Sequence, residues 1–201
     1  MSKTISFLIL IFFINLSSLE VLANPIDNIK YKNIDGTYNF FVEIPAGTKE
    51  KWEINKKTGI LELELKGNKK RTVNFLSYPG NYGFIPQTLA GDKDPLDVID
   101  IDTSVKRGST VKVNIIGALY FVDKKKIDIK LIAVKSNGMF ENITNLNQLL
   151  YKKPSIPNVL KIWFESYKKA GKMVFFRYIS KNESHKIIDD AHLAWKKANK
   201  Q

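Results

Sequence analysis

The chain has 201 residues, of which 44% are hydrophobic, 11% aromatic and 26% charged, and its formal net charge is +12. This length suits one domain with a core of its own, and the composition excludes a disordered or low-complexity protein. Because the chain has no cysteine and only two histidines, disulfides and thiolate metal sites are excluded, and oxygen is the expected metal ligand.

The first 23 residues have the pattern of a secretory signal peptide. Lys3 supplies a positive start, residues 5–14 form an apolar run, and Val21 and Ala23 fit the −3 and −1 positions of a cleavage site. An uncleaved membrane anchor is the alternative, but the run is shorter than the ~20 residues that a spanning helix needs. We therefore expect cleavage after Ala23, a mature domain of residues 24–201 and a periplasmic or secreted protein.

The following segment alternates apolar and polar residues and is rich in β-branched and aromatic side chains, which is typical of strands. Glycines punctuate it as turns. Seven strands are predicted, at residues 37–44, 51–55, 60–66, 71–76, 96–101, 110–122 and 126–135.

The C-terminal third changes to a helical period, and three helices are predicted, at residues 145–151, 155–170 and 183–199. Ser155 is the expected N-cap of the second helix, and Gly171 follows its end. Strands followed by helices predict an α+β domain, mainly β, with a small barrel or strongly curved sheet flanked by the C-terminal helices.

The most unusual segment is residues 91–102, which hold five aspartates and a single lysine in a basic protein. Carboxylates this close repel one another unless cations lie among them, and hard divalent ions prefer oxygen ligands. The segment lacks the glycine and the closing glutamate of an EF-hand loop. It therefore predicts a metal site for an anionic ligand, with a solvated Asp-Pro turn as the alternative.

Several predicted strands also carry acids and bases where half-exposed strands would carry ordinary polar residues. Lys51 and Glu53 share one face of a strand, as do Asp128 and Lys130, and a hairpin can bring Asp123 beside Asp128. For any one of these strands taken alone, a polar face in contact with water explains the charged residues. Together they indicate a metal and phosphate site, because carboxylates bind cations and basic side chains bind phosphoryl oxygens.

Two motifs then point to a family. Residues 78–86 read Tyr-Pro-Gly-Asn-Tyr-Gly-Phe-Ile-Pro, and residues 92–98 read Asp-Lys-Asp-Pro-Leu-Asp-Val. This spacing resembles the signature of the family I soluble inorganic pyrophosphatases of the bacterial type, and the resemblance extends from Tyr38 to the last predicted helix. It implies an OB-like five-stranded β-barrel with flanking C-terminal helices. It also implies Mg²⁺-dependent hydrolysis of pyrophosphate to two phosphates, by direct in-line attack of water without a covalent intermediate.

The resemblance also implies a role for each site residue. Asp94 would orient the attacking water and accept its proton. The implied metal ligands are Asp92, Asp97, Asp123 and Asp128, supported in an outer shell by Glu43 and Glu53. The implied phosphate contacts are Lys51, Arg71, Tyr82, Lys130, Tyr167 and Lys168. The cofactor would be several Mg²⁺ ions, with Mn²⁺ or other divalent ions as alternatives. The protein would form a hexamer, bind no nucleic acid and keep no stable membrane insertion after cleavage.

Three features depart from the family pattern. Lys93 lies between the first two aspartates, where it either weakens metal binding or points to solvent. Arg71 lies one residue closer to Tyr78 than the usual arginine, so Lys70 competes for its role. A leader is unusual for an enzyme best known from the cytoplasm, and export would suit phosphate scavenging.

Two other functions are consistent with parts of the sequence. Phe40, Phe41, Tyr78 and Tyr82 could form a stacking platform of an OB-like nucleic-acid binder, although five acids in its groove would repel a phosphate backbone. The other alternative is a pyrophosphatase-like protein that binds polyanions or lies at the membrane without turnover.

Overall fold

The computed structural model describes residues 24–168 and 171–200. The predicted leader therefore lies outside the described residues, and none of the helices within them combines the length and apolarity needed to cross a membrane. The helices are α1 (Pro25–Asn28), α2 (Leu146–Lys152), α3 (Ser155–Ser166) and α4 (Lys181–Ala198). The strands are β1 (Tyr38–Ile44), β2 (Trp52–Ile54), β3 (Leu61–Leu63), β4 (Leu65–Lys66), β5 (Lys69–Lys70), β6 (Asn81–Ile85), β7 (Leu96–Asp100), β8 (Thr110–Asp123), β9 (Lys126–Lys135) and β10 (Met173–Ile179).

Five strands close into a barrel in the order β1-β6-β7-β9-β8, because β8 pairs with both β9 and β1. The first residues of β8 pair with β1, and its last residues pair with β10, which extends the sheet outside the ring. Within the sheet all pairings are antiparallel except β7 with β9. The predicted fold class, an OB-like five-stranded barrel with flanking C-terminal helices, is confirmed.

Two buried clusters attach the helices to the barrel. Leu149 of α2 and Trp163 of α3 belong to one cluster, and Ile188 and Ala191 of α4 belong to the other. Strand β9 contributes to both clusters, so residues 130–134 are buried without interruption. A strand covered on both faces reads as a continuous apolar run rather than as a strict alternation.

Two strands of the sheet, β6 and β10, are not predicted from the sequence. Strand β6 contains Gly83, which weakens a strand pattern, yet here the glycine is required by packing. A Cβ on Gly83 would lie 1.9 Å from the backbone oxygen of Phe41. Strand β10 carries an irregularity between Phe175 and Arg177 that disturbs its alternation.

The predicted strand at residues 71–76 is wrong. Within that range Thr72 forms an isolated bridge with Glu50, and no residue belongs to a strand. Single backbone hydrogen bonds hold the segment, including one from the Val73 N–H to the Lys49 carbonyl at 2.9 Å. Side chains add to them, because Val73 packs into the core and Arg71 pairs with Glu64. The predicted strand at residues 60–66 is also divided, into β3 and β4.

The helices form where the sequence predicts them, with different ends. Helix α3 begins at Ser155 with Pro154 as N-cap, so Ser155 does not cap it, and it ends at Ser166 instead of continuing to 170. Proline suits a helix start because its φ is fixed near the helical value. Helix α4 begins two residues early, because the Ser180 hydroxyl accepts a hydrogen bond from the Glu183 N–H at 3.3 Å.

Candidate active site

A cavity of about 290 Å³ lies among β1, β2, β6, β7, β9 and the end of α3, and we call it the active-site cavity. Its walls include every site residue that the sequence analysis singled out. These are Glu43, Lys51, Glu53, Arg71, Tyr82, Asp92, Asp94, Asp97, Asp123, Asp128, Lys130, Tyr167 and Lys168. Segments more than 120 residues apart in the sequence therefore meet at one site, while the individual roles stay predictions.

The three residues of the Asn-Tyr-Gly motif contribute to one wall of the cavity in three different ways. The fully buried Asn81 donates a hydrogen bond to the Asp100 carboxylate at 2.9 Å and accepts one from the Val105 N–H at 3.0 Å. Tyr82 lines the cavity, and Gly83 lets β6 approach β1. The motif thus fixes the end of β6 and directs Tyr82 at the site.

The five aspartates of the 91–102 segment divide into two groups. Asp92, Asp94 and Asp97 line the cavity. Asp100 and Asp102 are buried elsewhere and hold neighbouring loops through hydrogen bonds to backbone and side-chain groups. Burial raises the pKa of Asp100 to about 6. Only three of the five aspartates in this segment therefore contribute to the cavity.

Lys130 forms the electrostatic centre of the cavity. The parallel register places Lys130 of β9 beside Asp97 of β7, and its ammonium also lies 2.6 Å from Asp128 and donates to the Tyr82 hydroxyl at 3.1 Å. Burial alone would lower the pKa of Lys130, but the carboxylates of Asp97 and Asp128 outweigh it and raise the pKa. The ammonium therefore stays charged although it is only 4% exposed.

A second cationic group consists of Lys51, which directly precedes β2, and Arg71, which directly follows β5. Lys51 pairs with Glu53 and lies 3.0 Å from Glu64, which also pairs with Arg71. Burial lowers the pKa of Lys51. Glu64 was not predicted, and it orients both cations from behind the cavity wall. Lys70 is exposed and lies outside the lining, so geometry favours Arg71 over Lys70.

Asp94 lies in a tight turn at the rim. The Asp94 N–H donates to the Asp92 carboxylate at 3.0 Å, an Asx-type bond that shapes the loop. Lys93 adopts a left-handed backbone with φ of 71°, is exposed and does not line the cavity. Of the two alternatives predicted for Lys93, the structure favours the second, in which the side chain points to solvent. Lys56, which the sequence did not single out, pairs with Asp94 and donates to the Lys93 carbonyl at 3.1 Å.

The far wall is formed where β8 ends and α3 ends. The Lys168 ammonium donates to the Asp123 carboxylate at 2.7 Å. The Tyr167 ring stacks on Trp163 with centroids 4.7 Å apart, and the Trp163 indole donates to the Leu76 carbonyl at 2.9 Å. The end of α3 is thus fixed by packing, which places Tyr167 and Lys168 beside Asp123.

Glu43 is the most deeply buried acid of the cavity, at 8% exposure. Its carboxylate accepts a hydrogen bond from the Ile54 N–H at 2.9 Å. Burial raises the pKa of Glu43 to about 8, with a further upward contribution from Asp97. A negative charge there is unfavourable without a nearby cation.

The aromatic residues named for the alternative function, nucleic-acid binding, are mostly buried. Phe40, Phe41 and Tyr78 are at most 6% exposed. Tyr78 lines the cavity and packs against Tyr82 and Trp163, with ring centroids 5.4 Å and 4.6 Å away. The side chains do not present a stacking platform, which argues against a single-strand binding groove.

The carboxylates fit a divalent cation in chemistry. All the cavity acids offer oxygen, and one buried oxygen of Asp123 accepts no hydrogen bond from the described residues, which is costly unless a ligand satisfies it. Within residues 24–168 and 171–200, no three acids or histidines converge into a ready metal cage. The carboxylates Asp94, Asp97 and Asp128 contact lysines instead.

Because the pKa of Glu43 is raised, we expect the free energy of unfolding of the metal-free protein to depend on pH. A chelator keeps the protein free of metal in this measurement. Because the folded pKa of about 8 exceeds the usual value of 4.5, the wild-type free energy of unfolding falls as the pH rises from 4.5 to 8. Glu43→Gln keeps an acceptor for Ile54 and removes the charge. We expect it to be more stable than wild type by roughly 2–5 kcal/mol at pH 9 and equal at pH 4.5, in urea denaturation.

The matched control is Glu165→Gln, which removes a carboxylate that accepts a backbone bond outside the cavity. Parallel stability curves for Glu43→Gln and wild type across this pH range would contradict the prediction.

Comparisons with known proteins identify the family. The family model described as inorganic pyrophosphatase matches residues 40–196. A probable inorganic pyrophosphatase of Plasmodium falciparum is 32% identical over 200 residues, covering 86% of this chain and 52% of that protein. An inorganic pyrophosphatase of Ralstonia nicotianae is 34% identical over 171 residues, covering 83% of this chain and 95% of that protein. The chain thus spans about half the length of the first relative and nearly all of the second.

A solved structure is also similar. The N-terminally truncated vacuolar soluble pyrophosphatase of Trypanosoma cruzi, in complex with pyrophosphate, superposes with a TM-score of 0.84 at 25% identity, covering 89% of this chain and 80% of that one. The family match spans most of the chain, so the predicted resemblance is confirmed at the level of the family: the chain belongs to the inorganic pyrophosphatase family.

Proposed function

We propose that this chain hydrolyses inorganic pyrophosphate to two phosphates by direct in-line attack of water, without a covalent intermediate. The observation that carries the proposal is the convergence of all thirteen predicted residues in one cavity of a chain from this family. Among the described residues that line the cavity there is no serine, threonine, cysteine or histidine. This composition favours activated water over a protein nucleophile.

We propose Mg²⁺ as the cofactor, held by Asp92, Asp97, Asp123 and Asp128, with Glu43 and Glu53 in an outer shell. Divalent ions lower the pKa of water and neutralise phosphoryl oxygens when bound. The same oxygen donors suit Mn²⁺ as an alternative. The buried carboxylates of Glu43 and Asp128, whose pKa values burial raises, would be stabilised as anions by such ions.

The remaining residues bind, orient and move protons. Asp94 is proposed to orient the attacking water and accept its proton, because it lies at the rim in the rigid turn with Asp92. The proposed phosphate contacts are Lys51, Arg71, Tyr82, Lys130, Tyr167 and Lys168. Positioning by charged side chains supplies most of the catalysis in phosphoryl transfer, where little covalent chemistry is required of the protein.

The mutation of the proposed base gives the direct test. Asp94→Asn keeps the size of the side chain and removes the proton acceptor, so phosphate release from pyrophosphate in Mg²⁺ should fall about 100-fold or more. Asp190→Asn, on an exposed helical position that pairs with Lys186, is the control and should retain full activity. An Asp94→Asn enzyme as active as the control would remove Asp94 from this role.

A second pair of variants distinguishes Arg71 from Lys70. Arg71 lines the cavity and Lys70 does not, so Arg71→Met should raise the KM for pyrophosphate about 10-fold, the loss expected for one charge-assisted contact. Lys70→Met should leave KM within about twofold of wild type. The opposite ranking in steady-state kinetics would assign the phosphate contact to Lys70.

We also propose that the mature protein, residues 24–201, is exported to the periplasm, where it acts as a bacterial-type hexamer. The support is the leader pattern before Ala23 and the family resemblance. Mass spectrometry of the periplasmic fraction should find a protein that begins at Asn24, and light scattering should give the mass of a hexamer. Recovery of the intact leader from the cytosol alone, or of a monomer, would refute the corresponding part.

A further inference from the structure

A second cavity adjoins the active-site cavity, and we call it the annex. It has a volume of about 300 Å³ and is lined by Lys51, Arg71, Thr72, Val73, Asp123, Lys124, Tyr167, Lys168 and Lys172. Five of these residues also line the active-site cavity, namely Lys51, Arg71, Asp123, Tyr167 and Lys168. The two cavities therefore share a wall, and that wall consists mainly of the proposed phosphate contacts.

The two cavities differ in charge. Among the described lining residues, the active-site cavity has seven carboxylates and five cations, whereas the annex has five cations and the single carboxylate of Asp123. The annex can attract an anion without the help of metal ions, since an excess of positive side chains around a concave surface favours bound negative charge. The cations that it adds to the shared wall are Lys124 and Lys172.

The backbone brings these two lysines together. Strand β10 pairs with the end of β8, so that Met173 lies opposite Asp123, and the Lys124 N–H donates to the Lys172 carbonyl at 3.3 Å. The two lysines extend the basic wall away from Asp92, Asp94, Asp97 and Asp128, which line the active-site cavity only.

The turn that carries Lys124 is conformationally unfavourable for lysine. Lys124 and Lys125 form the two-residue connection between β8 and β9, with φ values of 49° and 68°. Asparagine and glycine are strongly preferred at such positions because other side chains adopt this backbone at a cost. Lys124 thus places a cation on the annex from a position where lysine is disfavoured.

Building on the proposed function, we propose that the annex binds the third phosphate of a linear triphosphate whose first two phosphates occupy the active-site cavity. The substrate class is thereby extended to tripolyphosphate, and Lys124 and Lys172 determine this specificity. A triphosphate that extends along the shared wall keeps its reacting phosphate near Asp94 and its third phosphate beside Lys124 and Lys172.

The reaction keeps its atoms and charges in balance. The water oxygen forms a bond to the terminal phosphorus in the active-site cavity, and its proton passes to Asp94 and then to solvent. The bond from that phosphorus to the bridging oxygen breaks, and the electron pair leaves with a pyrophosphate whose outer phosphate lies in the annex. One tripolyphosphate and one water give one phosphate and one pyrophosphate, which is itself the substrate of the proposed reaction.

The test compares kcat/KM for tripolyphosphate and pyrophosphate in matched turn variants. Lys124→Asn places a favoured residue in the left-handed turn and removes the annex cation, while Lys125→Asn removes the same charge one residue away, outside the lining. We expect Lys124→Asn to lower kcat/KM for tripolyphosphate about 10-fold and Lys172→Met to lower it further. Pyrophosphate hydrolysis should stay within about twofold, and Lys125→Asn should change neither.

The outcomes separate the annex from the proposed function. Three results would each overturn the proposed role of the annex. They are equal losses of kcat/KM for both substrates, equal effects of Lys124→Asn and Lys125→Asn, and a wild type that neither cleaves nor binds tripolyphosphate. If wild type cleaves no pyrophosphate, the proposed function fails, and calorimetric binding of tripolyphosphate to wild type and Lys124→Asn still decides the annex. A parallel arm with ATP shows whether the triphosphate must be inorganic: matching effects extend the ligand to nucleotides, and their absence restricts it to tripolyphosphate.

Discussion

The buried ammonium of Lys130 is the constraint on which the barrel and the site both depend. A buried charge is strongly unfavourable unless neighbouring charges and hydrogen bonds satisfy it. Asp97, Asp128 and the Tyr82 hydroxyl do so from β7, β9 and β6. Asp97 can reach Lys130 only if β7 and β9 pair in parallel at the observed register. The pairing of β7 with β9 therefore builds part of the barrel and part of the site at once.

The ion pairs of the cavity combine the two halves of a phosphoryl-transfer site. Lys168 contacts Asp123, Lys51 contacts Glu53, and Lys130 contacts two aspartates. Divalent cations complement the carboxylates and phosphoryl oxygens complement the lysines, so a metal–substrate complex matches both sets at once. Charge is divided between the two cavities as well, because seven carboxylates line the active-site cavity while the annex beside it has five cations and one carboxylate.

The sequence singles out residues that meet in one cavity, although it misses or misplaces several strands. The spacing of Asp92, Asp94 and Asp97 predicts a common site directly, because residues of one short loop stay close together whatever the rest of the fold. Strand β6 escapes detection because Gly83 and the buried Asn81 serve contacts with β1 and with distant loops. Glu64 escapes because it lies between β3 and β4, where the register of β2 with β3 brings it beside Lys51 and that of β4 with β5 brings it beside Arg71. The sequence alone does not give these two registers.

Lys56 shows why the support of the aspartate loop cannot be deduced from spacing. It reaches Asp94 from the segment after β2, and the start of the domain packs beside that segment, where a Cβ on Gly59 would lie 2.7 Å from the Asn24 Cα. The same N-terminal turn is fixed by α4, because the Trp195 indole donates to the Asp27 carboxylate at 2.9 Å. The position of the loop thus depends on contacts with residues near both ends of the described chain, and a local pattern carries no information about contacts of that range.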